Sequence, residues 1–137
     1  MKTYNAKSVF DLDQFLPVDG EDSVELIYKD GSLFANIFYV DATLDQSMVL
    51  SIEFKMAFYF IKSSIPGFSV FSYQQVLDVD MLGSLLEYDK SEWVSSINQS
   101  SRLEGLRHYR IMLHSTGTVL DVACISWLAH EAIPTLL

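Results

Sequence analysis

Apolar and polar positions alternate with the period of a β-strand over much of this chain. Val24–Lys29 and Leu33–Val40 flank Asp30-Gly31, a dipeptide suited to a two-residue hairpin turn. After a polar break at Asp41–Gln46, Met48–Ile61 reads as one long strand. Leu50, Ile52, Phe54, Met56, Phe58 and Phe60 occupy one face. The other face begins polar at Ser51, Glu53 and Lys55 and finishes apolar at Ala57, Tyr59 and Ile61, so the strand should end buried on both sides. Pro66-Gly67 interrupts it and Phe68–Tyr73 resumes as a strand. Tyr109–His114 and Thr118–Ile125 form a further hairpin around Ser115-Thr116-Gly117.

Helical spacing is local. Phe10, Leu12, Phe15 and Leu16 share a face over Val9–Leu16, which Pro17 ends, and a polar turn follows at Asp19-Gly20-Glu21-Asp22. Gln74–Leu86 fits either period; a strand to about Met81 and then a helical turn is the expectation. Asp89 with Glu92 three residues later predicts a capped start to a helix over Lys90–Arg102, with Trp93, Val94 and Ile97 inward. Five serines weaken that helix by propensity, so packing must hold it. The predicted fold class is α+β: a single domain over residues 1–137, with a mostly antiparallel sheet of about six strands and two or three short helices.

Composition is consistent with one core. The 137 residues are 50% apolar and include nine Phe, seven Tyr and two Trp, which excludes a disordered chain. No apolar run approaches the roughly 20 residues of a membrane-spanning helix. The basic start Met1–Lys7 leads into Asp11 and Asp13 rather than an apolar segment, so no secretory signal is expected. With one cysteine, Cys124, the expected compartment is the reducing cytoplasm.

Charge changes the picture more. Between Asp11 and Glu53 stand ten acidic residues and one lysine, Lys29, a balance equal to the −9 of the whole chain. A pI near 4.5 argues against nucleic acid and against an anionic membrane as partners, and the concentration of charge argues for a basic protein partner. The residues expected to form that partner-binding surface are Asp11, Asp13, Asp19, Glu21, Asp22, Asp41 and Asp45, which fall in or beside turns and the first helix.

A catalytic constellation is not apparent. His108 and His114, six residues apart on one strand, would stand roughly 20 Å from each other and could not share a metal; His130 has no ligand near it in sequence. Cys124 lies among Val122, Ala123 and Ile125, as a small buried hydrophobe would. Asp78 and Asp80 fit the wet face of a strand, the glycines never cluster into a phosphate loop, and there is no G-x-S-x-G elbow. No catalytic residue, metal or cofactor is expected. An enzyme built on Asp78 and Asp80 or on a histidine is the least supported alternative. A homo-oligomeric small-ligand binder or scaffold, using the aromatic sheet, is the stronger one.

The strand Leu106–His114 carries His108-Tyr109-Arg110-Ile111. A glycine-containing turn follows, and then Val119–Ala123 with Asp121-Val122; the helix ahead of both carries Ser91-Glu92-Trp93-Val94. This closing third of the chain is similar to the C-terminal hairpin of small acidic bacterial proteins, some of them immunity proteins of toxin systems, in which an H-Y-x-[IL] strand precedes a strand bearing [DE]-V-x-A. The resemblance implies a non-enzymatic protein that neutralises a cognate toxin, often a nuclease with a basic active face, and it carries no catalytic residues over.

Overall fold

The computed structural model describes residues 3–64, 83–101 and 103–135. Within them the chain forms two antiparallel sheets. Sheet A has the order β1 (Thr3–Asp11), β6 (Ser84–Ser91), β7 (Arg107–Leu113), β8 (Thr118–Cys124), β5 (Tyr59–Ser64). Sheet B contains β2 (Ser23–Lys29), β3 (Ser32–Asp41) and β4 (Gln46–Lys55), with β9 (Ser126–Ala129) and β10 (Ile133–Pro134) paired in succession along the free edge of β4. One α-helix, α1 (Glu92–Ser101), and a single 3-10 turn, Leu12–Gln14, complete the described residues.

Alternation places the core between the sheets. Leu33, Ala35, Ile37 and Tyr39 of β3 and Leu50, Ile52 and Phe54 of β4 pack with Tyr109, Ile111 and Leu113 of β7 and Leu120, Val122 and Cys124 of β8. Leu12, Leu85 and Ala57 join the same buried cluster. The reverse face of β7 and β8 is buried too, and α1 covers part of it by packing Val94 and Ile97 against Leu106 and Ala123.

The architecture is therefore predominantly β, not the α+β expected, and the reasons are local. Val9–Leu16 is not a helix. Its first residues continue β1, which pairs with β6 from Thr3↔Ser91 to Asp11↔Ser84, and only Leu12–Gln14 turn helically, capped by the Asp11 carboxylate accepting the Asp13 N–H. Ladder pairing with a distant strand outweighs a short helical spacing. The long strand Met48–Ile61 is two strands in different sheets. The backbone turns left-handed at Met56 (φ +58°) and crosses from sheet B to sheet A. Leu50, Ile52 and Phe54 reach the core, whereas Met56, Phe58 and Phe60 are exposed, as are Tyr59 and Ile61. Cys124–Ser126 crosses back beside this segment, held by the Ile125 N–H donating to the Lys55 carbonyl at 3.0 Å.

Other boundaries shift less. The helix begins after Ser91, not Asp89, because Asp89 and Lys90 remain in β6. Ser84–Leu86 are strand rather than helical turn. The predicted strand Phe68–Tyr73 and most of Gln74–Leu86, with Asp78 and Asp80, lie outside the described residues. The Asp30-Gly31 hairpin is as expected: both residues have positive φ (+53° and +81°), the signature of a type I′ turn.

Candidate functional site

The chain brings the acidic residues named above to one end of the sandwich. In sheet A, β1 ends at Asp11 opposite Ser84, and the β7–β8 turn closes at Leu113↔Thr118. In sheet B, β2 starts at Ser23 opposite Phe38, and the β3–β4 hairpin turns between Asp41 and Gln46. The intervening loop ties these ends together. Leu12 N–H donates to the Gly83 carbonyl (2.8 Å), Asp22 N–H to the Phe38 carbonyl (2.7 Å), and Thr116 N–H to Glu21 Oε2 (2.7 Å). Asp11, Asp13, Asp19, Asp22 and Asp45 are exposed. Asp41 is half-buried and accepts the Thr43 and Leu44 N–H groups, forming the hairpin turn. Among the described cations, Lys29, Lys55, Lys90 and Arg107 stand at the opposite end, and Lys7 pairs with Glu87. Lys62, opposite Leu120 on β5, comes nearest to the acidic end. The sandwich is thus polarised along its length.

Glu21 departs from the expectation of exposure: it is 2% accessible. The Pro17–Gly20 turn, closed by Gly20 N–H to the Pro17 carbonyl (2.8 Å), folds it beneath the β7–β8 turn. Gly20 has φ +84°, and a Cβ there would meet the Ser115 Cβ at 2.8 Å, so this close approach requires glycine. Oε2 of Glu21 is satisfied by Thr116, while Oε1 is buried without a hydrogen-bond partner among the described residues. Glu21 lines a cleft of about 340 Å³ with Asp13, whose carboxylate rests on Gly83, and with Leu16, Val18, Met112 and His114.

A second polar constellation, whose members are separated in sequence, lies on the reverse face of sheet A. Ser91 Oγ lies 2.8 Å from His108 Nδ1, His108 Nε2 lies 2.6 Å from Asp121 Oδ1, and Arg110 Nε donates to the same Oδ1 at 2.7 Å. Burial pushes the Asp121 carboxyl up, but the His108 hydrogen bond and the Arg110 charge outweigh it and hold it below its ordinary value. An ionised Asp121 accepts the hydrogen on His108 Nε2. The order Ser–His–Asp resembles a hydrolytic relay, yet its atoms are engaged structurally. Ser91 Oγ also caps α1 by accepting the Val94 N–H (3.3 Å), and Arg110 shares the Asp121 oxygen. Tyr88 and Trp93 pack on the imidazole with ring centroids at 4.8 and 5.1 Å. Ser91 and His108 border a groove of about 550 Å³ between α1 and β6–β7. Hairpin register was the signal for this cluster: closure at Leu113↔Thr118 places Arg110 opposite Asp121, on one face with His108.

The remaining candidates separate. His114 sits in the β7–β8 turn, and His130 pairs with Glu53 at 3.0 Å. Cys124 is fully buried, and burial pushes its thiol up to about 12. Phe34, Phe38, Val49 and Ile133 line an apolar groove of about 430 Å³ on the outer face of sheet B. Among the described residues no three His, Cys, Asp or Glu side chains are disposed to hold a metal, and no helix is long and apolar enough to cross a membrane. No protein-family model, curated protein or solved structure matches the chain.

Proposed function

We propose that this chain is a non-enzymatic cytoplasmic binding module that docks a basic protein partner on the acidic end of its sandwich and neutralises it by occlusion. The observation that carries this reading is the convergence of Asp11, Asp13, Asp19, Glu21, Asp22, Asp41 and Asp45, drawn from three separate turns, on one end of the fold. A nuclease-like toxin domain is the partner class this favours. Its phosphate-binding face is cationic, and carboxylates placed there would fill positions that phosphates occupy; the immunity-protein pattern of the closing hairpin points the same way. Affinity capture from the native host at low and high salt, read by mass spectrometry, tests it. One stoichiometric basic protein, weakened at high salt, supports the reading. No protein partner in either condition, with the target shown to be expressed, refutes it.

A second reading has its own observation. Met56, Phe58, Tyr59, Phe60 and Ile61 are all more than a third exposed beside Tyr28, whose ring stacks on Phe60 at 5.9 Å. An apolar strip along two sheet edges suits a homo-oligomer. Light scattering distinguishes the two: a concentration-independent dimer favours this reading, and a monomer removes it.

A further inference from the structure

The cleft at the acidic end has a composition of its own. Glu21 is 2% accessible, and its Oε1 has no hydrogen-bond partner among the described residues. A buried carboxylate oxygen left without a donor is costly, so a site that keeps one is open to a ligand able to supply it. Asp13, which lines the same cleft, is exposed, and its carboxylate lies against Gly83, where any side chain would displace it. The rest of the lining is mixed: Leu16, Pro17, Val18 and Met112 are apolar groups that match a methylene stem, and His114 adds an imidazole.

We propose that this cleft receives one arginine side chain of the docked partner, its guanidinium bridging Glu21 Oε1 and the Asp13 carboxylate. A guanidinium offers five N–H donors in a planar fork and can satisfy two carboxylates at once. A lysine ammonium is a compact, strongly hydrated point charge without a planar fork, and it suits two separate carboxylates less well. A divalent cation is disfavoured, because no three acidic or imidazole ligands converge among the described residues. The inference rests on reading the acidic end as a docking face, and it adds the anchor that fixes the partner's register there.

The test needs no partner. N-acetyl-arginine methylamide is titrated into the full chain, with N-acetyl-norleucine methylamide as the neutral control. Binding is followed through the backbone amide resonances of Glu21, Gly83 and Thr116. The expected result is saturable shifts from the arginine probe alone, with binding about tenfold weaker in Asp13→Asn and Glu21→Gln, as loss of one charge-assisted hydrogen bond implies. Asp13 is exposed, so its variant keeps the test valid if Glu21→Gln disturbs the loop. An equal response to norleucine, no saturable response, or unchanged binding in Asp13→Asn would each overturn the proposal. Failure here with a basic partner still captured in a salt-dependent manner removes the cleft but not the docking face; absence of any partner removes the docking face.

Discussion

At the scale of single residues, the buried charges make definite predictions about pH. Asp121, Glu87 and Glu53 all sit below the ordinary carboxylate range. For Asp121 and Glu87 burial is the largest influence and opposes this, but is outweighed: by His108 and Arg110 for Asp121, and by Lys7, Tyr109 and Arg107 for Glu87. For Glu53 the His130 hydrogen bond leads, aided by Ser32. Folded values below unfolded ones mean that the native state binds fewer protons. Their stabilisation is therefore complete above the unfolded values and is lost as pH falls through the folded ones. The urea midpoint should hold level from neutral pH to about 5 and fall below about 4. Asp121→Asn should cost about 3–5 kcal/mol at pH 7, because it breaks a buried ion pair with Arg110, and it should flatten the acid decline. An unchanged midpoint in urea titrations of that variant would show the network to be energetically idle. Cys124 gives a second prediction. A fully buried thiol raised to about 12 is almost entirely protonated at pH 8, so iodoacetamide should label it only at the rate of unfolding, and labelling should follow denaturant rather than reagent concentration. Much of this was visible in sequence: the apolar neighbours of Cys124 predict its burial. The burial of Glu21 was not, because an acidic residue in a polar turn gives no sign that a second turn, ninety-five residues on, will donate to it.

At the scale of elements, local chemistry was legible where it determines the backbone by itself, and opaque where a distant strand decides. Asp30-Gly31 specified its hairpin because a type I′ turn needs positive φ at both positions, which glycine adopts freely and aspartate tolerates. Gly31→Ala should destabilise the fold by about 1–2 kcal/mol, the cost of a left-handed backbone for a residue with a Cβ. Thermal or urea denaturation measures this directly, and a neutral result would mean the turn can relax to another type. The β7–β8 hairpin was equally legible, since Ser115-Thr116-Gly117 marks a turn between two strand-patterned runs. Val9–Leu16 and Met48–Ile61 were misleading for opposite reasons. The first has helical spacing, but its leading residues gain a ladder with β6. The second has unbroken alternation, so no Gly or Pro marks the crossing at Met56; a left-handed methionine carries it. Period alone describes which face a residue occupies within a strand, not which sheet the strand joins.

At the scale of the whole molecule, the two ends differ in chemistry, and that difference makes the functional readings separable. One end gathers seven carboxylates with few described cations near it; the strip along β5 and β2 exposes aromatic and aliphatic side chains. Attraction at the first is electrostatic and screened over about 10 Å at 0.1 M salt, whereas association through the second strengthens with salt and loses heat capacity on burial. Sequence showed the excess charge but not its geometry, because Asp11, Asp22 and Asp41 come to the same end of the sandwich only when the loop from Leu12 to Asp22 joins the two sheets. The combined replacement Asp11→Asn, Asp19→Asn, Asp22→Asn and Asp45→Asn, which leaves the cleft residues Asp13 and Glu21 in place, therefore isolates one mode. Among the described residues three of these side chains are exposed and make no side-chain hydrogen bond, and the Asp11 carboxylate makes the short cap to Asp13, so folding stability should change by no more than about 1 kcal/mol. Association with a captured basic partner should slow by about tenfold or more and lose most of its salt dependence, since rim charges act mainly on the encounter rate. Stopped-flow or surface-binding kinetics at several ionic strengths would measure both. A variant that associates at the wild-type rate and with the wild-type salt slope would place the binding surface elsewhere, with the apolar strip on β5 the next face to mutate.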